Sequence, residues 1–207
     1  APRPLADRLR PKALTEVVGQ DHLLGADGPI GRMVGQHRLV SMILWGPPGC
    51  GKTTIARLLA EHTDLEFEPL SAVFSGVADL RKVFERARER RTLGRGTLLF
   101  IDEVHRFNKA QQDLLLPGVE AGEARLIGAT THNPRYYVID PLLSRCQLFA
   151  LEPLPTDEIE GALSHALEDV ERGLGSRSCK AGKNVLGHIA LLAEGDLRRA
   201  YNFIETI

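Results

Sequence analysis

The sequence predicts an α/β fold in which a parallel five-stranded sheet is sandwiched by helices. Two observations carry this prediction. Short apolar runs bounded by turn residues recur between residues 41 and 151, as expected for strands that are buried on both faces. Segments with apolar residues at helical spacing separate these runs. Strands that alternate with helices in this way pair in parallel, because each crossover helix carries the chain back to the same edge of the sheet.

Each predicted element follows from its own pattern. SMILW at 41–45 is an apolar run that ends at a glycine, and LEFEPL at 65–70 alternates apolar and polar side chains. The remaining strands are expected at 97–101, 124–130 and 147–151. Helices are expected at 53–62, 77–91, 156–171, 183–193 and 195–206. Residues 1–13 contain three prolines and four basic residues, so they are expected to form an extended arm.

A shift in pattern after residue 155 predicts a domain boundary. No further strand is expected there, and the remaining chain shows only helical periodicity. We therefore expect an α/β core at 1–155 and a small all-helical domain at 156–207. The chain opens without methionine and stops in the middle of a helical pattern, so we expect it to be part of a longer protein.

Composition restricts the classes of function. The net charge is -1 and the sequence pI is about 6.7, so any binding of nucleic acid must use local patches rather than a global positive field. No apolar run is long enough to span a bilayer, and the three cysteines lie far apart. A reducing compartment suits such a chain better than a disulfide framework does. We expect a cytoplasmic protein without a membrane partner.

The segment GPPGCGKTT matches the phosphate-binding pattern G-x-x-x-x-G-K-[ST]. A predicted buried strand precedes it and a predicted helix follows, which is the context that the motif requires. Glycines let backbone N–H groups turn toward phosphate oxygens, and the helix N-terminus adds partial positive charge. Lys52 is expected to reach the β- and γ-phosphates of ATP, and Thr53 to ligate Mg²⁺. The nucleotide-binding residues are expected to be Gly46, Pro47, Pro48, Gly49, Cys50, Gly51, Lys52, Thr53 and Thr54. A glycine-rich turn before a helix is the simpler alternative.

Two carboxylates, Asp102 and Glu103, stand at the end of the apolar run LLFI. A carboxylate at the end of a buried strand is costly unless a cation meets it. Asp102 is therefore the expected Mg²⁺ ligand, and Glu103 is placed to polarise a water for attack on the γ-phosphate. The predicted reaction converts ATP to ADP and phosphate. Two acids that simply face solvent are the alternative, which the phosphate-binding segment makes less favourable.

Several segments carry a resemblance to a known family. In chain order, GPPGCGKTT, IDE, GATT, LLSRC and GDLRRA resemble AAA+ ATPases of the clamp-loader branch. PLADRLRPKALTEVVGQDHLLG, SMILWGPPGCGKTT, IDEVHRFNKAQQDLLLP and LIGATTHNP resemble more closely the replication-associated recombination protein A (RarA, also MgsA) family, which is related to the Werner helicase-interacting ATPase. The likeness is dense over 3–155 and looser beyond. It implies a P-loop AAA+ core followed by a helical lid at 156–207, shortened around 173–184, without the family's C-terminal oligomerisation region.

The resemblance assigns roles to individual residues. Thr130 matches the sensor that orients the attacking water, and Arg198 matches the lid arginine that senses the γ-phosphate in the same subunit. Arg145 matches the arginine finger, which points at the ATP of a neighbouring subunit and couples assembly to hydrolysis. The segment that flanks the adenine corresponds to Val18, Gly19 and Gln20. A solvated arginine at a helix end is the alternative for Arg145.

The resemblance also implies partners. The family's activity is DNA-dependent ATP hydrolysis at stalled replication forks, gaps or DNA ends, in replication-coupled recombination and repair. The implied partner is forked or gapped DNA, or a junction between single-stranded and duplex DNA. A homo-oligomer, expected to be a tetramer, and a contact with single-strand binding protein are implied as well. In a bacterium the protein would then be associated with the nucleoid.

Candidate DNA contacts lie in two basic segments. Arg106, Asn108 and Lys109 directly follow the acidic pair, and Arg81 and Lys82 lie on an arginine-rich predicted helix. Phosphate oxygens would suit these side chains, and binding should be nonspecific because nothing resembles a base-reading helix. An ordinary polar loop and a solvated helix face explain the same residues.

Other functions remain open at this point. A clamp-loader subunit or a branch-migration motor belongs to the same class of ATPase. A protein unfoldase is suggested only by Phe74, Ser75 and Gly76, which resemble an aromatic-apolar-glycine pore loop with serine in place of the apolar residue. A nucleotide-binding protein without hydrolysis is disfavoured by the intact acidic pair. Two residues depart from the family pattern: His132, where glutamate is common, and Phe74, where a smaller or more polar residue is expected.

Overall fold

The structure is a computed structural model that describes residues 3–177, 180–182 and 184–206. The strands are β1 (Met42–Trp45), β2 (Leu65–Ser71), β3 (Gly96–Asp102), β4 (Arg125–Thr130) and β5 (Gln147–Ala150). The helices are α1 (Leu5–Arg8), α2 (Asp21–Leu24), α3 (Pro29–Gly35), α4 (Lys52–His62), α5 (Val77–Thr92), α6 (Lys109–Glu120), α7 (Asp140–Leu143), α8 (Thr156–Glu168), α9 (Val185–Leu192) and α10 (Leu197–Thr206). Single 3₁₀ turns lie at Leu14–Glu16, Val104–Arg106, Pro134–Tyr136 and Gly175–Arg177.

The five strands form one parallel sheet in the order β2-β3-β4-β1-β5. Residues 97–101 of β3 are all buried, and because successive side chains point to opposite faces, both faces of the sheet must be covered. Helix α4 packs against β2, β3 and β4, and α5 packs against β3. The predicted fold class, a parallel five-stranded sheet flanked by helices, is confirmed.

The chain divides into two compact units. The first, residues 21–46 and 52–151, contains the sheet and a core in which Leu80, Phe84 and Ala87 of α5 meet Leu99 and Ile101 of β3. The second consists of residues 1–20, 47–51 and 152–207. No helix among the described residues is long and apolar enough to cross a membrane.

The second unit is built from helices. Leu5 of α1 packs with Ile159 and Leu163 of α8 and with Ala200 of α10. The Leu5 N–H donates to Glu205 Oε2 at 3.0 Å, which anchors the start of the chain on the last described helix. The extended arm predicted for residues 1–13 is therefore wrong over α1, because burial of Leu5 stabilises a short helix there.

Some predicted boundaries shift. The helix expected at 156–171 ends at Glu168, because Asp169 leaves the helical conformation and its Oδ1 accepts the N–H groups of Glu171 and Arg172 at 2.9 and 2.7 Å. The helix expected at 183–193 spans Val185–Leu192, and residue 183 lies outside the described residues. Residues 178 and 179, in the segment where a short lid was expected, lie outside them as well.

Helix α6 is not among the helices that the sequence predicted, and Pro117 lies inside it. Proline removes one backbone hydrogen bond and normally ends a helix. Here the helix is fixed at its start by reciprocal bonds between Asn108 and Gln111, both at 2.9 Å, which form a capping box. Its buried residues Leu115 and Gly118 keep the last turns against the core. The cap and the packing together outweigh the proline.

The contact between α5 and α6 predicts a sharp glycine requirement. A Cβ built on Gly118 would overlap the ring of Phe84, which is buried. Gly118→Ala should lower the free energy of unfolding by about 1–3 kcal/mol, as overpacking does. Gly35→Ala is the matched control, because that glycine also lies in the last turn of a helix of the same unit but has open space around it. Urea unfolding of both variants checks this, and equal stability would contradict it.

Candidate active site

The phosphate-binding segment adopts a conformation that its glycines permit. It begins where β1 ends at Trp45 and closes where α4 begins at Lys52. Gly49 and Gly51 have φ angles of 74° and 104°, in the region that residues with a side chain rarely adopt. A Cβ on Gly46 would lie 2.6 Å from the Leu151 carbonyl oxygen. The three glycines of the motif are thus required by backbone geometry.

Lys52 is the first residue of α4, with Thr53 and Thr54 next in the same turn, and all three are half-buried. The Lys52 ammonium donates to the Gly46 carbonyl oxygen at 2.8 Å. The side chain therefore reaches back from the helix start to the beginning of the segment. This arrangement places a cation beside the backbone that surrounds the predicted phosphate position.

Within the second unit, the segment contacts the start of α10. The Leu197 N–H donates to the Gly49 carbonyl oxygen at 3.4 Å, and a Cβ on Gly49 would overlap the Asp196 carboxylate. Arg198 is exposed and follows Leu197 directly. The structure therefore brings Arg198 near the phosphate-binding segment in space, although the two lie almost 150 residues apart in sequence.

Gln20 is fully buried, and both ends of its amide are used by backbone groups. Its Nε2 donates to the carbonyl oxygens of Glu152 at 2.8 Å and Cys50 at 3.5 Å, and its Oε1 accepts the Glu152 N–H at 3.1 Å. Gly19, before it, has φ 78° and leaves no room for a Cβ beside Leu154. The Gln20 side chain is thus a brace between chain segments, and only Val18, half-buried, has a side chain left to face a ligand.

The carboxyl ends of three neighbouring strands hold the remaining candidates of the first unit. Asp102 ends β3, Thr130 ends β4, and Gly46 follows β1. Because β4 lies between β3 and β1, these residues share one edge of the sheet. The Gly46 N–H donates to the Thr130 carbonyl oxygen at 3.1 Å, which extends the β1–β4 ladder to the first residue of the phosphate-binding segment.

The acidic pair has an unusual backbone. Glu103 has φ 53° and ψ 46°, the left-handed conformation that residues other than glycine seldom adopt. Its N–H donates to Asp102 Oδ1 at 3.1 Å. Its carboxylate is 40% exposed and lies 3.8 Å from the Arg106 Nε. Strain of this kind costs on the order of 1–3 kcal/mol and often marks a functional site.

The Thr130 hydroxyl lies in a small aromatic cluster that the sequence did not predict. Thr130 is 1% exposed, and its Oγ1 lies 2.8 Å from His105 Nδ1 and 3.0 Å from the His132 backbone nitrogen. The His105 and His132 rings lie with centroids 4.2 Å apart and planes tilted by 44°, and the Tyr137 ring meets both nearly edge-on. Burial lowers the pKa of His105 from its ordinary value, and the neighbouring His132 acts in the same direction.

Arg145 lies at the opposite edge of the sheet. It precedes β5, whose first residue, Gln147, pairs with Met42 at the amino end of β1. Its Nη2 lies 2.5 Å from Glu120 Oε1, and its Nη1 donates to the Pro141 carbonyl oxygen at 2.7 Å. The structure therefore does not bring Arg145 together with Asp102, Glu103 and Thr130 in one copy of the chain.

A cavity of about 670 Å³ surrounds Arg145 at this amino edge. Its lining includes Arg38, Arg91, Arg95, Arg125 and Arg145. Arg91 donates to the Ala121 carbonyl oxygen at 2.7 Å, and Arg125 donates to the Leu39 carbonyl oxygen at 3.1 Å. A backbone carbonyl is uncharged, so these hydrogen bonds do not neutralise the two guanidinium groups. Glu120 and Glu123 line the cavity as well, so five arginines face two glutamates and the surroundings of Arg145 carry a net positive charge. The spacing of the arginines along the sequence does not reveal this.

The five DNA candidates fall into two groups. Arg106, Lys109, Arg81 and Lys82 are exposed. Asn108 caps α6, with its Oδ1 accepting the Gln111 N–H at 2.9 Å, so its side chain already has a structural partner. Other basic residues of α5 are paired, since Arg86 and Arg90 contact Glu68 at 2.9 and 2.7 Å. Phe74, in the loop after β2, is 89% exposed.

Comparison with known proteins agrees with this geometry. The profile of the family described as "ATPase family associated with various cellular activities (AAA)" matches residues 42–153, more than half of the chain. The chain belongs to the AAA family. Replication-associated recombination protein A of Escherichia coli K12 is 48% identical over 98% of this chain and 45% of its own length. The protein of the same name from Bacillus subtilis is 46% identical over 98% of this chain and 47% of its own length. The ATPase WRNIP1 of Dictyostelium discoideum is 42% identical over 98% of this chain and 23% of its own length.

Solved structures give the same fold. A structure of Thermotoga maritima RuvB aligns with a TM-score of 0.77 at 26% identity, over 96% of this chain and 64% of that one. Another, described as a Holliday junction branch migration motor, aligns with a TM-score of 0.75 at 28% identity. The AAA chain spans 45–47% of the length of the bacterial relatives named above. The resemblance to the RarA family is confirmed by proteins that carry that name.

The left-handed backbone of Glu103 predicts an order of stabilities. Asparagine tolerates this conformation better than other residues with a side chain, because its short amide bonds locally to the backbone. Glu103→Asn should therefore unfold with a free energy up to about 1 kcal/mol higher than Glu103→Gln, although both remove the same charge. Chemical denaturation of the two variants checks the difference. A less stable Asn variant would show that the strain is not borne at this residue.

Proposed function

We propose that this AAA chain hydrolyses ATP to ADP and phosphate as the motor of a DNA-dependent ATPase. In this proposal the whole protein acts at stalled forks, gaps or DNA ends during replication-coupled recombination and repair. One observation carries the proposal: Lys52, Asp102, Glu103 and Thr130 gather where the phosphate-binding segment leaves the sheet. The names of the relatives support the biological setting.

The segment from Gly46 to Thr54 would hold the phosphates. Its backbone N–H groups and the start of α4 would offer hydrogen bonds and partial positive charge, and Lys52 would add a full charge. ATP turnover would also need its usual cation. Among the described residues no group of three or more His, Cys, Asp or Glu is arranged to hold a metal.

Thr53 and Asp102 are the residues that would hold this Mg²⁺. Both supply oxygen donors, which the ion prefers. Among the hydrogen bonds of the described residues, the Asp102 carboxylate accepts only the Glu103 N–H, at Oδ1, so its second oxygen remains for a ligand. Bound Mg²⁺ supplies neutralisation of the charge that develops on the β- and γ-phosphate oxygens. The residues present therefore fit the ion.

Glu103 would act as the general base. Its carboxylate is partly exposed and is contacted only loosely by Arg106, so a water can reach it. The left-handed backbone turns the residue away from the strand direction of Asp102, so that the metal ligand and the base need not compete for one position. Thr130 would orient the same water from the next strand, since the hydroxyl of a sensor can hydrogen-bond it.

Two arginines would contact the γ-phosphate. Arg198 follows the residue that contacts Gly49, so it would sense the nucleotide of its own copy. Arg145 lies at the far edge of the sheet and would act on the nucleotide of a neighbouring copy, which makes hydrolysis depend on assembly. A homo-oligomer, a tetramer on the family pattern, is part of the proposal. A contact with single-strand binding protein and a cytoplasmic, nucleoid-associated location follow from the same resemblance.

DNA contacts are proposed for exposed cations near the active edge. Arg106 and Lys109 stand in the loop and helix start that follow Glu103, and Arg81 and Lys82 lie on α5. Because the Ala72 N–H donates to the Asp102 carbonyl oxygen at 2.9 Å, the loops after β2 and β3 emerge side by side. Phosphate contacts from this surface would be salt-dependent and independent of sequence. Asn108 would contribute through its side-chain Nδ2, because its backbone N–H and its Oδ1 both bond Gln111.

A branch-migration motor is the second candidate. The likeness to the RuvB structures, at 26–28% identity, favours it, whereas the relatives named for replication-associated recombination reach 46–48%. The two activities differ in their DNA requirement. Stimulation of ATP turnover by four-way junctions, without stimulation by forked or gapped DNA, would favour the motor.

Glu103→Gln separates binding from hydrolysis. The amide keeps the shape of the side chain but cannot accept the proton of water, so turnover should fall by about 10²–10⁴, the usual contribution of a general base. ATP affinity, measured by calorimetry, should stay close to that of the unmodified chain. Lys52→Ala is the control that should lose affinity instead. Turnover of Glu103→Gln within tenfold of the unmodified chain would remove Glu103 from the mechanism.

Mixing two inactive copies tests the role of Arg145 in trans. Arg145→Ala keeps its phosphate-binding segment but lacks the finger, and Lys52→Ala keeps the finger but cannot hold ATP. Each alone should lose on the order of 10²-fold or more in turnover, since such fingers contribute about 10³–10⁵ in related GTPases. Equal mixing in the presence of gapped DNA should restore part of the turnover.

The control for this mixture is Arg38→Ala, which removes another arginine of the same cavity and should keep turnover within a few-fold. Turnover per copy should also rise with protein concentration in the unmodified chain. Failure of the mixture to recover, together with turnover that is independent of concentration, would mean that Arg145 does not act on a neighbour.

A further inference from the structure

We propose that His105 is a positioning residue that decides whether the Thr130 hydroxyl can accept a hydrogen bond from the attacking water. The inference rests on the proposed function, in which Thr130 orients that water. Its basis is the direct contact between His105 and Thr130, at the ends of two neighbouring segments on the active edge of the sheet.

The hydroxyl of Thr130 has a limited set of hydrogen bonds. A threonine hydroxyl carries one hydrogen and two acceptor positions. The His132 N–H can only donate, and it occupies one acceptor position at 3.0 Å. The remaining hydrogen and the remaining acceptor position are shared among His105 Nδ1 at 2.8 Å, the His132 carbonyl oxygen at 3.3 Å, and any group that enters from outside.

Neutral His105 leaves Thr130 able to accept. When the imidazole hydrogen is on Nε2, Nδ1 is an acceptor, and it takes the Thr130 hydrogen because it is closer than the His132 carbonyl. One acceptor position of Oγ1 is then unused. A water at the site can donate one hydrogen to Thr130 and the other to Glu103, which leaves a lone pair of its oxygen for the γ-phosphorus.

Protonated His105 reverses the arrangement. Both ring nitrogens are then donors. Nδ1–H fills the second acceptor position of Thr130, and the hydroxyl hydrogen turns to the His132 carbonyl oxygen. No acceptor is left for the water, so its orientation is lost. The neutral imidazole is therefore the form that supports hydrolysis.

The surroundings of His105 favour the neutral form. Its ring is half-buried, lies tilted against the His132 ring and meets the Tyr137 ring nearly at right angles. Burial contributes most to lowering its pKa below the ordinary 6.5, followed by His132, and Arg106 lowers it further. The Glu103 and Asp102 carboxylates oppose these effects by raising the pKa. The lowered pKa means that His105 is neutral near neutral pH and gains its proton only as the pH falls below its ordinary range.

A matched pair of substitutions tests the hydrogen bond rather than the ring. His105→Phe keeps an aromatic ring but has no acceptor, whereas His105→Asn can place its amide oxygen where Nδ1 stands. We expect kcat of the Phe variant to fall about 3- to 10-fold, the value of one buried hydrogen bond, with KM for ATP little changed. The Asn variant should recover most of the lost kcat. Equal kcat in both variants would overturn the inference.

The pH profile adds a signature that a purely structural role would not give. In the unmodified chain kcat should decrease as the pH falls through a pKa below 6.5. The Asn variant should lack this step, because an amide does not titrate. An unchanged step in the Asn variant would assign the titration to another group and contradict the proposal.

Nitrogen NMR of the chain without nucleotide gives a readout that does not depend on turnover. Above its pKa, His105 should be in the tautomer with hydrogen on Nε2, and Thr130→Val should shift its Nδ1 resonance and its pKa. His22→Phe removes a distant histidine and serves for assignment and as the control, with both properties of His105 unchanged. An Nδ1–H tautomer in the unmodified chain would overturn the proposal.

The kinetics of Thr130→Val distinguish failure of this inference from failure of the proposed function on which it rests. If kcat is unaffected by Thr130→Val, the role of Thr130 in the proposed function fails, and the role of His105 fails with it. If Thr130→Val lowers kcat about tenfold or more while His105→Phe stays within about twofold, only the inference about His105 is wrong.

Discussion

The parallel register of β3, β4 and β1 is the constraint on which the candidate site depends. Ile101 pairs with Gly128, and Trp45 pairs with Thr130, so three strand ends reach one edge together. These strands are buried on both faces, and a slip of one residue would turn every side chain to the wrong face. The burial that stabilises the sheet thereby also fixes where the phosphate-binding segment, the acidic pair and Thr130 stand.

Glu103, at this edge, departs from relaxed backbone geometry, as His37 and Asp64 do elsewhere in the same unit. Gly49 and Gly51 have positive φ angles that glycine adopts without cost, but Glu103 has a positive φ angle with a full side chain. The buried strand before it and the 3₁₀ turn after it hold this conformation. A glycine there would relieve the strain and remove the carboxylate, so the proposed chemistry and local stability make opposite demands on one residue.

What could be predicted from the sequence follows from how local each signal is. The strands and the phosphate-binding segment could be predicted because contiguous residues specify them. Helix α6 was missed because Pro117 is a local stop signal, whereas the packing of Leu115 and Gly118 that overrides it is not local. The contact between His105 and Thr130 joins residues 25 apart and exists only because two strand ends meet. Gln20 matched a family segment, yet its side chain braces the backbone.

The distance between the two edges of the sheet determines which residues can act together in one copy of the chain. A four-residue strand such as β1 spans about 13 Å, at roughly 3.3 Å per residue, and Arg145 lies beyond its amino end while Thr130 pairs at its carboxyl end. An arginine side chain cannot cover that span, so a second copy must supply the finger if Arg145 acts on a γ-phosphate. The ion pair between Arg145 and Glu120 does not prevent Arg145 from acting on a neighbouring copy. Both partners are 39–47% exposed, and such pairs contribute at most about 1 kcal/mol, which a phosphate in a dry interface readily exceeds.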